Sequence, residues 1–390
     1  MNALRLSFIL LATLTAACGA KVLDVGSTGA TGPSQGIPGG PAVKDDGAWF
    51  PESACVPVGP TPKVLFTEKY LSTRFLLPDG ETLWFDGHDT ADTTLGVNRV
   101  YRVPTAGGAA TRVDVEGYHG GAFGFWDGKL AYVKRLYEGS GSGLDPRKEV
   151  VALLDRASGA ETLIPNPGAT TYVSGLRLHA TGIYWVSREW RADKPQSISR
   201  WTPSGPIELT SIENASGTLT DGREIFYLRF ERLDDGSHEI RIEAVPVDGG
   251  VPRVLRRMPY ANTEHYGIVG VDGVELYFTI ERTTQGGTIQ DGDILAMPKS
   301  AVEGSGPERV VTKEQWFGYG VTMDPDHLSW VDQKDQATIV RVRRDGTGAT
   351  ERIEGPGPTR YVQTLAADRC NLYWSVVNPP AIYARTRVLP

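Results

Sequence analysis

The side chains that could do chemistry are few and widely spaced. The chain has 390 residues but only 6 histidines and 3 cysteines. His88, His119, His238 and His265 are separated by tens of residues and fall in no HExxH or comparable ligand spacing, so no metal or cofactor is expected from a motif. A metal held by His119 and His265 is the one arrangement left to test, and scattered surface or capping histidines are the plainer reading. Asp86, Asp89 and Asp92 offer oxygen ligands at i, i+3 and i+6, which misses the calcium-loop pattern and reads as a solvated acidic loop. There is no GxSxG elbow and no GxxxxGK[ST] phosphate loop. The glycines at 117, 120, 121 and 124 precede a strand rather than a helix, which removes a dinucleotide fingerprint. An enzyme is therefore the less favoured expectation.

Composition narrows the partners. A formal charge of -7, with 40% hydrophobic and 22% charged residues, describes neither a disordered acidic chain nor a nucleic-acid binder. The 46 glycines, 26 prolines, 15 tyrosines and 9 tryptophans suit short strands joined by tight turns.

An aliphatic-x-aromatic triplet recurs as Leu83-Trp84-Phe85, Leu130-Ala131-Tyr132, Ile183-Tyr184-Trp185, Ile225-Phe226-Tyr227, Leu276-Tyr277-Phe278, Leu328-Ser329-Trp330 and Leu372-Tyr373-Trp374. The spacings are 47, 53, 42, 51, 52 and 44 residues, the period of propeller blades. Turns such as Asp79-Gly80, Asp127-Gly128, Asp221-Gly222 and Asp272-Gly273 precede the aromatic strand, as in a tight hairpin. A third, alternating strand and a short outer strand follow, which makes four strands per unit. The expected fold is all-β, a seven-bladed propeller over residues 51–390 with antiparallel four-stranded blades. The last unit lacks an outer strand, and Lys63-Val-Leu-Phe-Thr67 is one to spare, so the N-terminal strand is predicted to join the last blade and close the ring.

In this frame the connections from second to third strands are long and share one face with the starts of the inner strands. Elaborated loops on a rigid scaffold are where recognition resides. The residues predicted to ring the channel mouth there are Tyr70, His119, Tyr172, Asn214, His265, Trp316 and Tyr361, together with Tyr118, Tyr266 and Phe317. Such a ring suits a sugar, a peptide side chain or another small ligand. Packing between blades is the competing use of the same residues. Charges on the long loops are uneven, with Arg135, Arg188 and Arg191 on blades two and three and Glu231, Asp234 and Asp235 on blade four.

Ile183-Tyr-Trp with Ser197-Ile-Ser-Arg200, Leu328-Ser-Trp-Val-Asp332 with Ile339-Val-Arg341, and Leu372-Tyr-Trp resemble the repeats of YWTD-type and TolB-like propellers, over residues 60–390. The resemblance implies architecture and no activity, because those residues pack between blades.

Residues 1–17 read as a signal peptide: Arg5 precedes an apolar run, Leu6 to Ala17, too short to span a bilayer. Leu14-Thr15-Ala16-Ala17-Cys18-Gly19 resembles the lipobox of bacterial lipoproteins, which implies lipidation of Cys18. By the same resemblance, Gly19 implies the outer membrane in a Gram-negative host. An ordinary cleavage after Thr15-x-Ala17 is the alternative. Acylating Cys18 would leave Cys55 and Cys370 to pair as a disulfide, with two unrelated buried thiols as the other possibility. Residues 18–50, rich in Gly, Pro, Ser and Thr, read as a linker with a reach of about 30 Å. The functional expectation is an exported, lipid-anchored propeller at the cell envelope that binds a protein partner, a small ligand or a glycan, with no nucleic acid. The alternative is a propeller enzyme, a metal-dependent lyase or a lactonase-type hydrolase, working at the channel mouth.

Overall fold

The computed structural model describes residues 55–67, 71–73, 75–89, 98–113, 118–136, 148–166, 172–179, 181–188, 196–202, 204–284, 289–303, 308–317, 321–335, 338–354, 361–377 and 379–387. The expected signal peptide (1–17), the Cys18 lipidation site, the linker (18–50), Tyr70 and Asp92 lie outside them, as do the side chains of His88 and His119.

Seven antiparallel sheets form a β-propeller, as the repeat predicts, and each is a blade. Blade four shows the pattern: Ala215–Thr220 is innermost, then Glu224–Arg232, His238–Pro246 and Arg253–Pro259. Its second strand is sandwiched between neighbouring blades, so both of its faces must be apolar. Phe226 and Tyr227 are accordingly both buried, and so are Tyr184 and Trp185, Tyr277 and Phe278, and Tyr373 and Trp374. The buried tyrosines keep a polar partner: the hydroxyls of Tyr227, Tyr277 and Tyr373 donate to Glu243, Asp272 and Asp368. Burial, then the adjacent carboxylate, drives all three phenol pKa values far up.

The ring closes where expected. Lys63–Thr67 pairs antiparallel with Pro380–Thr386, the third strand of blade seven. Cys55 and Cys370 form a disulfide across the same seam, with Cα atoms 5.8 Å apart, so the reading as two separate thiols is set aside. Beside it the Asn371 side chain accepts from Val58 N (3.1 Å) and donates to Val56 O (3.0 Å).

Blade one departs from the expectation. Its inner position is split into Leu71–Ser72 and Leu76–Asp79, both paired with Thr82–Asp89. Asp86, read from sequence as the start of a solvated acidic loop, is fully buried inside that second strand. Its Oδ1 accepts the Phe75 amide at 2.7 Å, so the carboxylate serves the backbone where the inner strand is interrupted.

Candidate binding face

The two faces of the ring are built differently. On the face of the tight turns, an aspartate four residues before the aromatic strand's first aliphatic residue folds its own turn. Oδ1 of Asp221, Asp272, Asp324 and Asp368 each accepts two backbone amides, from residues two and three positions on. At four junctions that aspartate also reaches a cation placed just after the third strand of the next blade. The pairs are Asp79–Arg156 (2.6 Å), Asp221–Lys299 (2.7 Å), Asp272–Arg344 (3.1 Å) and Asp324–Arg387 (2.6 Å).

Elsewhere other devices fill the same place. Trp126 meets Trp201 edge-on between blades two and three, with ring centroids 5.2 Å apart. Between blades three and four, His179 lies so close to Gly222 that a Cβ there would fall 1.8 Å from its Cε1. Only glycine fits, and its φ of +79° suits glycine as well.

The opposite face carries the starts of the inner strands and the ends of the second strands, from which connections leave whose residues lie mostly outside the described ones. Tyr172 opens Tyr172–His179 and is half-buried. Asn214 is exposed at φ +54°, just ahead of Ala215–Thr220, and its carbonyl accepts the Phe230 amide. His265 is exposed in Glu264–Val271, and Tyr361 is 54% exposed just before Val362–Ala367. Trp316 follows Arg309–Gln315, and the Lys334 ammonium lies 4.8 Å from its ring centroid. Among the described residues, no hydrogen bond or ring contact joins any two of Asn214, His265, Trp316 and Tyr361. His238 belongs elsewhere: its ring meets Phe230 at a tilt and Tyr260 edge-on at the rim of blade four, beside a groove of about 550 Å³. The loop charges are also less uneven than the sequence suggests, since Arg135 pairs with Glu149 and Glu231 with Arg241.

Glu281 is the group that sequence reasoning passed over. It sits near the long-loop end of Glu275–Thr283, directly opposite His265 on one side and Gly292 on the other. A Cβ on Gly292 would come within 2.7 Å of the Phe317 ring, so the blade-six aromatic approaches the sheet at that position. Tyr277, on the same face of the strand as Glu281, points to the Asp272–Arg344 pair shared with blade six. Glu281 therefore faces the junction of blades five and six and stands near His265 and Phe317.

Burial pushes the Glu281 pKa from 4.5 up to about 7. The contrast with Asp293 is direct, since burial works against Asp293 too but is outweighed by Arg282 and the Glu314 amide. Glu281 makes no hydrogen bond or ion pair among the described residues. A half-ionised carboxyl beside an exposed imidazole can bind a cation or exchange a proton near neutral pH.

Among the described residues two clusters could hold a metal by geometry, and both lie on the tight-turn side. Cys55, Asp368 and Cys370 are closed by the disulfide, and Asp324, Asp326 and His327 surround the Arg387 guanidinium, which bonds both aspartates.

No protein-family model matches the chain, and neither does any curated protein sequence. Solved structures do. Oligogalacturonate lyase from Vibrio parahaemolyticus aligns at 10% identity over 82% of this chain and 90% of its own, with a TM-score of 0.57. The β-propeller domain of the Trilobed protease from Pyrococcus furiosus, described as having an open velcro topology, aligns at 9% identity over 82% and 94%, TM-score 0.55. Virginiamycin B lyase from Staphylococcus aureus aligns at 10% identity over 84% and 99%, TM-score 0.50. At such identities the likeness is one of fold, and the chain is by that measure a seven-bladed β-propeller.

Proposed function

We propose that the chain is an exported β-propeller, anchored at the cell envelope by lipid on Cys18, whose long-loop face binds a protein partner, a small ligand or a glycan. The observation that supports this reading is the asymmetry between the faces. The tight-turn face spends its charged groups on joining blades, while the long-loop face leaves Asn214, His265, Glu281 and Tyr361 turned to other uses. The N-terminal sequence supports the anchor, with the outer membrane as its place in a Gram-negative host.

Cross-linking in native membranes, followed by capture and mass spectrometry, tests the binding role. Cross-links concentrated on 90–97, 137–147, 189–195 and 285–288 are expected, and cross-links confined to the tight-turn face would overturn it. Metabolic labelling with an alkyne fatty acid tests the anchor, with incorporation expected in the wild type and lost in Cys18→Ala.

A second reading, a lyase or lactonase-type hydrolase acting at the channel mouth, is favoured by one observation: an acid with a pKa of about 7 beside a histidine. Turnover that disappears in both Glu281→Gln and His265→Ala, with the fold intact, would decide for it.

A further inference from the structure

The long-loop end of blade four holds a groove of about 550 Å³, a volume in the range of small-ligand sites. It lies where the sheet ends, between the turn at 233–237 and the connection that carries Tyr260 and Asn262 toward blade five. His238 and Tyr260 are neighbours across the third and fourth strands, the Tyr260 amide donating to the His238 carbonyl at 3.0 Å. Glu239 and Pro259 are the next pair, on the alternate side of the sheet. Because the groove runs across the end of the sheet, both pairs line it.

The groups around the groove are of two kinds. The rings brace one another: Tyr260 meets Phe230 edge-on with centroids 4.4 Å apart, and His238 edge-on at 6.3 Å. The charges are already matched, since Arg257 bonds Glu239 at 2.6 Å and also reaches Glu303, and Arg241 bonds Glu239. Both arginines take Oε1 of Glu239, and its Oε2 makes no hydrogen bond among the described residues. Nor do the hydroxyl of half-buried Tyr260, the exposed His238 imidazole or the exposed Asn262 side-chain amide. The groove thus offers an aromatic platform and open hydrogen-bonding groups, beside ionic groups that neutralise each other.

We propose that this groove at the end of blade four binds a neutral oligosaccharide. It rests on the reading of the long-loop face as the binding face, to which this end of the blade belongs, and names the class of ligand recognised there. A pyranose ring with equatorial substituents shows a face of C–H groups, which packs on the electron-rich face of an aromatic ring such as Tyr260. Its hydroxyls, each a donor and an acceptor, lie around the edge and meet Asn262 and His238. Glu239 Oε2 accepts a hydroxyl hydrogen from a neighbouring sugar unit, and Arg257 holds that carboxylate in place. A ligand bearing a carboxylate or an ammonium would have to displace one of these ion pairs, so the site selects against charge.

The test uses two tetrasaccharides of glucose, the extended β-linked cellotetraose and the curved α-linked maltotetraose, with trigalacturonate as the acidic counterpart. Calorimetry on the intact protein is expected to show at least one neutral tetrasaccharide bound about tenfold tighter than trigalacturonate. The preferred linkage tells whether the groove follows a straight or a curved chain. Saturation-transfer NMR with irradiation of the aromatic protons is expected to mark the C–H groups of one sugar face.

Tyr260→Ala is expected to weaken binding about tenfold, and Asn262→Ala, at an exposed position, about threefold. Tyr260→Phe keeps the ring and is expected to retain most of the affinity that Tyr260→Ala loses, which separates stacking from a collapse of the groove. No binding by either neutral tetrasaccharide, tighter binding of trigalacturonate, or unchanged affinity in both Tyr260→Ala and Asn262→Ala would each overturn the site. None of these results depends on a macromolecular cross-link, so the sugar site can fail while the binding face stands, and the reverse.

Discussion

The two faces of this ring treat the same kind of side chain in opposite ways. On the tight-turn face a carboxylate is an internal fastener: Asp324 is 3% exposed by side chain, and Arg387, 2% exposed, bonds it at 2.6 Å and Asp326 at 2.8 Å. Burial works to raise the Asp324 pKa, but the hydrogen bond from His327, the Arg387 guanidinium and the Asp326 amide outweigh it and bring it down. On the long-loop face Glu281 is half-buried, with nothing among the described residues to outweigh that burial, and its pKa goes up. What separates the two is whether the fold supplies a counter-charge. Among the described residues the ring thus pairs these carboxylates on one face and leaves Glu281 without a counter-charge on the other.

The largest effect that would sharpen this contrast is at the seam. The disulfide closes a separation of 315 residues, and the chain-entropy model assigns such a loop about 5 to 6 kcal/mol. Cys55→Ser with Cys370→Ser is expected to lower the unfolding free energy, measured in guanidinium, by that order, with Lys63–Thr67 becoming the first strand to exchange its amide hydrogens. Unchanged stability in the double variant would mean that strand pairing and the Asn371 side chain close the ring unaided.

Next in size is the fastener itself. Arg387→Ala leaves Asp324 buried without its guanidinium, a change that costs about 3 to 5 kcal/mol when one partner of a buried pair is removed. Arg156→Ala removes the corresponding cation from Asp79 at a more exposed junction, where an ion pair contributes about 0 to 1 kcal/mol. Equal losses in the two variants, measured by denaturant unfolding, would break the claim that burial makes these repeated pairs unequal. The sign of the pH effect is also fixed. A lowered Asp324 pKa contributes stability that is present above the ordinary carboxylate range and lost as pH falls through the folded value.

The sequence made one face far more legible than the other. Asp-Gly before an aliphatic-x-aromatic triplet is a local signal, and it placed the hairpins, the blades and the closing strand because turn chemistry and strand alternation act over a few residues. The cations that complete those turns lie 63 to 78 residues away along the chain, with no local trace of the pairing. Asp86 looked like loop because it opens a run of aspartates at 86, 89 and 92, and only the interrupted inner strand gives it a buried task. Glu281 was hidden for the opposite reason. It reads as the polar end of a strand, although Tyr277, Thr279 and Glu281 share the alternating face that meets blade six. Whether that face buries a charge is set by Phe317 and Gly292, on two other strands.

The third effect is the one with the unusual sign. A rise in the Glu281 pKa from 4.5 to about 7 means that the folded state holds this proton more tightly than the unfolded chain does. Below pH 4.5 both states are protonated and the residue's contribution is fully present. Between 4.5 and about 7 the unfolded chain ionises first, so stability falls as pH rises, and above the folded pKa the loss is complete at about 3 kcal/mol. Glu281→Gln cannot ionise and escapes that loss. The variant is therefore expected to match the wild type near pH 4 and to exceed it by up to about 3 kcal/mol at pH 8, measured by denaturant unfolding at both values. A gain that appears at pH 8 and vanishes at pH 4 marks a residue whose ionisation opposes folding, the reverse of Asp324 across the ring. A variant destabilised at both pH values would show that the carboxyl has a structural partner, and the contrast between the faces would fail at its sharpest point.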